Sequence, residues 1–159
     1  MHAKKPKTGA GRSGGAGRPA RVRFHAVNFA YMKTRVLLAE DDAQVRAFMA
    51  EALAFLGFEV EVAGDGAQAL DKLGEAAFDI VLTDHRMPGL GGLELVRALR
   101  ERGFAGRVYV ASGVLSLEER ASYQALGVDG VAAKPMALAE LNGLLRGWIT
   151  MPAVGAGAV

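Results

Sequence analysis

From Arg35 onward the chain alternates short apolar runs with amphipathic stretches, and this alternation restricts the fold more than any other feature. A continuous apolar run bounded by turn residues suits a strand buried on both faces, while apolar residues recurring every three to four positions suit a helix with one face in the core. Parallel neighbours need a crossover, most simply a helix, so repeated strand–helix units imply an α/β fold built on a parallel sheet with helices on both faces. Five such units fit between Arg35 and Trp148.

The first expected strand is Arg35 to Ala39 (RVLLA). The helix after Asp42 places Val45, Phe48, Met49, Leu53 and Leu56 on one face and ends at Gly57. Asp42 reads as its N-cap, because a short acceptor before an amphipathic run satisfies free N–H groups. A second strand is expected from Phe58 to Val62, then a turn at Gly64-Asp65-Gly66 and a helix carrying Leu70 and Leu73. Phe78 to Thr83 reads as a buried strand that ends at Asp84. A loop with Pro88 and three glycines leads to a helix from about Leu93 to Arg102, and Arg107 to Ala111 is the fourth strand, ending at Ser112-Gly113. A weaker helix (Leu117 to Leu126), a short strand (Val131 to Ala133) and a last helix (Ala137 to Trp148) follow. Leu138, Leu141, Leu144, Leu145 and Trp148 recur at helical spacing in that last helix and are expected in the core rather than in a partner zipper.

The formal charge of +2 conceals an asymmetry: residues 1–35 hold nine Lys or Arg and no acid, whereas 36–159 hold ten against 17 Asp or Glu, a net of −7. Residues 1–33 are therefore expected to be a basic, disordered extension, 34–148 the folded domain and 149–159 a flexible tail too short for a second domain. Met32, followed at once by a strand-like run, is the hypothesised natural start; native peptides from upstream of it would refute that. The basic arm is the one hint of a nucleic-acid partner, which is not otherwise expected. No apolar stretch of about 18 residues lacks a charge, so no membrane role and a cytoplasmic location are expected. With no cysteine, the chemistry must rest on oxygen and nitrogen.

In a doubly wound sheet the functional crevice lies at the carboxyl ends of the strands. There the chain has Glu40, Asp41 and Asp42 after the first strand, Asp84 after the third, Ser112 after the fourth and Lys134-Pro135 after the fifth. Four pieces stand in order: VLLAEDD at 36–42, DIVLTDHRMPGLGGLEL at 79–95, VASG at 110–113 and AKP at 133–135. Over residues 34–148 the chain resembles the receiver domains of two-component response regulators. The resemblance implies a flavodoxin-like, five-stranded parallel sheet of order 2-1-3-4-5.

It also implies a chemistry. Asp84 would be the phosphoacceptor, attacking the phosphohistidine of a histidine kinase or histidine phosphotransfer protein, or a small phosphodonor, and the signal would pass by protein contacts to an unidentified downstream target. A hard cation such as Mg2+ takes oxygen ligands and keeps several waters, so few protein donors suffice. Asp41 and Asp84 would bind it directly, Arg86 through its main-chain carbonyl and Glu40 through water. Lys134 would pair with the phosphoryl oxygens and Ser112 would donate a hydrogen bond to one of them. His85, beside the acceptor, is expected to shield it or meet a partner rather than act as a base, and Met87-Pro88-Gly89 to shape the loop beneath it. The family's usual form here is a cis Lys-Pro bond. No separate enzymatic output is expected beyond the domain's own phosphorylation and dephosphorylation.

The chain departs from the family at Val131, where many receivers carry a Tyr or Phe that swings inward on activation, so that coupling is in doubt here. Arg86 is long and cationic, and an altered acyl-phosphate lifetime is expected from it; an unchanged rate in Arg86→Ala would refute this. Gly91 stands where many relatives have Asp, a change that puts little in doubt. One alternative is a magnesium-dependent phosphatase or phosphotransferase of the haloacid-dehalogenase type, but that family wants a second Asp where this chain has Arg86. Another is a receiver module detached from a hybrid kinase.

Overall fold

The structure is a computed structural model and describes residues 33–146. The expectations for the basic extension, for Trp148 and for the C-terminal tail lie outside these residues. In chain order the elements are β1 (Arg35–Ala39), α1 (Ala43–Phe55), β2 (Glu59–Ala63), α2 (Gly66–Glu75), β3 (Ile80–Asp84), α3 (Gly92–Glu101), β4 (Arg107–Ser112), α4 (Leu117–Ala125), β5 (Gly130–Ala133) and α5 (Leu138–Arg146). The strands form one parallel sheet of order β2-β1-β3-β4-β5. Ala39 pairs with Thr83, Asp84 with Ala111 and Ser112 with Ala133, so the strand ends that carry the acids, the hydroxyl and the lysine lie on one rim.

Successive strand residues point to opposite faces, and here both faces are apolar. Leu37, Ala39, Val81, Val108 and Val110 pack with Ala69 of α2, with Leu95, Val96 and Leu99 of α3 and with Tyr123 of α4. Val36, Leu38, Ile80, Leu82, Tyr109 and Ala111 pack with Met49 and Leu53 of α1 and with Leu141 and Leu145 of α5. Burial on both sides is why β1, β3 and β4 read as nearly unbroken apolar runs, whereas the edge strand β2 (EVEVA) alternates.

Helix ends follow local chemistry. Asp42 caps α1, its carboxylate accepting from the amides of Gln44 at 2.8 Å and Val45 at 2.9 Å. At the other end Gly57 takes φ 95°, its N–H bonds the Ala54 carbonyl, and the Phe58 N–H bonds that of Leu53. This is the Schellman arrangement, which a residue with a Cβ adopts only under strain. The same pair of bonds ends α3 at Gly103-Phe104 and α4 at Gly127-Val128, so one device, glycine followed by an apolar residue, closes three helices.

Boundaries differ from expectation where a core residue precedes its strand. Phe58 belongs to the cap of α1, and β2 begins one residue later. Phe78 is buried beneath the Arg35 guanidinium, 4.8 Å from its ring, but Val36 pairs first with Ile80, so β3 begins there. The expected apolar face of α1 exists, yet only Met49 and Leu53 are buried. Phe48 is 66% exposed, and with Val45 it lines an open groove of about 560 Å³ toward Met136 and Leu138.

Candidate functional site

β1, β3 and β5 deliver the charged residues because each strand ends at the same rim. Glu40, at the end of β1, is only 2% exposed, whereas Asp41 is open to solvent. Carboxylate oxygens of Glu40, Asp41 and Asp84 lie within 4.8 Å of one another. Lys134 reaches into the same group: its ammonium bonds Glu40 Oε2 and lies 3.4 Å from Asp84 Oδ1. The Lys134–Pro135 peptide is cis, as the resemblance implies. Ser112 is buried and shares a pocket of about 250 Å³ with Asp84, Arg86, Val114 and Lys134. All six expected site residues thus meet at one place, with Arg86 itself exposed at its edge.

The electrostatics favour a cation. Two unit charges about 5 Å apart repel by roughly 3 kcal/mol at an effective dielectric near 20, and three carboxylates face a single ammonium. Burial pushes the Glu40 carboxyl above its ordinary value, against the opposing pull of Lys134. A set of oxygen donors with excess negative charge fits a hard divalent ion such as Mg2+.

Supporting contacts aim these groups. The Arg46 side chain donates to the main-chain carbonyls of Glu40 at 2.6 Å and Asp41 at 3.1 Å, fixing the acidic turn. Thr83 donates to the Asp84 carbonyl, and the His85 amide donates to Asp84 Oδ1 at 2.7 Å. A Cβ at Gly92 would collide with the Asp84 carbonyl oxygen, so the loop after β3 closes this tightly only with glycine there.

His85 is where the structure corrects the expectation. Its side chain is 10% exposed and turned inward, with Nδ1 2.7 Å from the Tyr123 hydroxyl and Nε2 2.8 Å from Glu119 Oε1. It therefore neither shields the acceptor from outside nor offers its ring to a partner. Arg46, Glu119 and Tyr123 were not singled out from the sequence. The one available signal was that Glu119 and Tyr123 stand four apart on one helix face.

Residues 36–146 match the response regulator receiver domain. The chain belongs to this family. It is similar to the response regulator MprA of Mycolicibacterium vanbaalenii, 38% identical over 128 residues that cover 79% of this chain and 55% of that protein. The MprA of Mycobacterium tuberculosis is 37% identical over 115 residues, 72% of this chain and 50% of that protein. The chain thus spans about half the length of these curated relatives. Among solved structures, the chemotaxis protein CheY4 of Vibrio cholerae has a TM-score of 0.69 and 30% identity, over 72% of this chain and 97% of that one. The response regulator TrrA of Thermotoga maritima, in complex with Mg(2+)-BeF, has a TM-score of 0.65 and 26% identity, over 73% and 98%. This receiver is accordingly part of two-component signalling, in which receiver domains interact with histidine kinases. Among the described residues of the receiver, no helix is long and apolar enough to cross a membrane.

Proposed function

We propose that this receiver accepts a phosphoryl group on Asp84, with Mg2+ held beside it, and signals through protein contacts without a separate enzymatic activity. The observation that carries this reading is the meeting of Glu40, Asp41 and Asp84 oxygens within 4.8 Å beside the Lys134 ammonium. The Mg(2+)-BeF complex of the similar TrrA supports it.

Asp84 Oδ1 is held by the His85 amide and faces Lys134, which leaves Oδ2 to attack phosphorus. A P–O bond forms as the P–N bond of the donor phosphohistidine breaks; the departing nitrogen keeps the bonding pair, and the ring, already protonated on its other nitrogen, leaves as neutral imidazole. Asp41 and Asp84 would hold the ion with the Arg86 carbonyl, and Glu40 through water; when bound, it neutralises the charge of the two approaching anions. Lys134 then exchanges its contact with Glu40 for a phosphoryl oxygen, and the Ser112 hydroxyl donates to another. The donor is a histidine kinase or histidine phosphotransfer protein. A free-standing receiver is the finer reading within this proposal.

The test is incubation with phosphoramidate or acetyl phosphate and Mg2+, followed by intact mass. Wild type should gain one phosphate and Asp84→Asn none, and chelation of Mg2+ should abolish the gain. Equal gain in both proteins, or none in wild type, overturns the assignment.

A further inference from the structure

Residue 85 makes two kinds of contact at once. Its main chain touches the acceptor: the His85 N–H is bonded to Asp84 Oδ1 at 2.7 Å. Its ring touches α4 at two points, the Tyr123 hydroxyl and the Glu119 carboxylate, and meets the Tyr123 ring edge-on at 5.6 Å between centroids. A carboxylate only accepts, so Nε2 carries the hydrogen toward Glu119, while Nδ1 and the Tyr123 hydroxyl share the second hydrogen bond.

Both α4 residues matter to that helix. Tyr123 is its one buried residue and reaches the core that α2 and α3 share. Glu119 closes the capping box at the helix start: its Oε2 accepts from the Ser116 amide at 2.7 Å, and its own amide donates to the Ser116 hydroxyl at 3.1 Å. Leu117, which would be the other apolar anchor of the first turn, is 87% exposed. At its C-terminal end α4 is held by Arg100, which donates to the carbonyls of Leu126 and Gly127, whereas its N-terminal cap and buried anchor both converge on one imidazole.

A phosphoryl group on Asp84 changes what the His85 amide bonds to, because the carboxylate it now meets becomes an acyl phosphate with less charge on its oxygens. A main-chain adjustment at residue 85 turns the ring, and the ring cannot turn without disturbing two bonds to α4. We propose that His85 is the positioning residue that couples the state of Asp84 to the placement of α4. The proposal rests on the phosphoacceptor reading above. Coupling of this kind is reciprocal, so whatever displaces α4 also shifts the affinity of the acceptor site for its phosphoryl group.

The experiment uses the full chain labelled with 15N. Intact mass after phosphoramidate treatment reports phosphorylation, and amide shifts on adding Mg2+ and beryllofluoride report movement, separately for Arg86–Met87 and for Glu119–Ala125. Wild type should shift in both segments. His85→Leu, which keeps the main-chain amide at Asp84, should shift at Arg86–Met87 on adding Mg2+ and beryllofluoride, while its α4 shifts fall several-fold. Tyr123→Phe, which keeps the packing and removes one bond, should show a smaller loss of the same kind, and His85→Gln a partial recovery. If His85→Leu fails to fold, Tyr123→Phe decides alone. α4 shifts equal to wild type in the folded variants, or absent from phosphorylated wild type, would overturn the coupling. Absence of phosphorylation from wild type would overturn the phosphoacceptor reading instead.

Discussion

The two faces of the sheet hold their helices by different means. On the α1 and α5 side the core attachment is apolar, Met49 and Leu53 with Leu141 and Leu145, bordered by bonds from Arg46 to the turn after β1 and from Arg146 to the Leu56 carbonyl, and it gives way to an open groove at Phe48. On the side of α2, α3 and α4 the loop after β3 acts as a hub. Gly66 donates to the Leu90 carbonyl, Gly92 to that of His85, and the His85 ring ties the hub to α4. Apolar contact is non-directional and tolerates small shifts, whereas hydrogen bonds of fixed length transmit them. The lesson is that the loop carrying the acceptor is hydrogen-bonded to the helices of one face, whereas the other face meets the site through Arg46 on the acidic turn and through Lys134.

The largest expected effect tests the hub. Gly92→Ala places a methyl group against the Asp84 carbonyl, which is main chain and cannot rotate away. The substitution should destabilise the domain by about 3 kcal/mol, toward the upper end for overpacking, as read by denaturant unfolding. A near-neutral result would show that the loop is looser than its contacts imply, and the contrast between the faces would weaken. Tyr123→Phe comes next. It leaves His85 Nδ1, almost shielded from water, without its partner, and should cost about 1–2 kcal/mol. Burial also holds the Tyr123 phenol above its ordinary range, so no loss of this bond by ionisation is expected in the alkaline range where free tyrosines titrate.

How far the sequence reveals this contrast depends on the kind of information involved. Strand positions and the acidic rim were legible because apolar runs and motif order carry them, strand order followed only from the family resemblance, and Asp42 was legible as a cap because capping is local. The β2 and β3 starts were missed by one and two residues, since Phe58 and Phe78 are apolar for the core and not for the ladder. Periodicity placed Val45 and Phe48 on the inner face of α1, but it cannot show whether another helix covers that face. His85 was misread for a related reason: its partners lie 34 and 38 residues away, and only the fold makes them neighbours.

The opposite face supplies the smaller effect. Phe48→Ser removes a ring that is mostly in water already, so stability should stay within about 0.5 kcal/mol of wild type. A loss of several kcal/mol would mean that the groove is closed in solution, and the two faces would then be alike.

The finest test is the pH response of the bridge itself. The Ser116 amide and, after it, His85 hold the Glu119 carboxyl well below the usual carboxylate range, at about 2 against an ordinary 4.5. A carboxylate with a depressed folded-state pKa contributes stability that is complete above its unfolded value and fades as pH falls through the folded one. The start of α4 should therefore be intact above about pH 4.5 and loosen progressively toward pH 2, because protonated Glu119 is a poorer acceptor for both donors. Side-chain carboxyl shifts followed by NMR should give Glu119 a midpoint near 2, and His85→Leu should raise it while leaving part of the depression to the Ser116 amide. An unchanged midpoint in His85→Leu would mean that the cap holds Glu119 without help from the ring, which would reduce the link between the acceptor loop and α4 to the single bond from Tyr123.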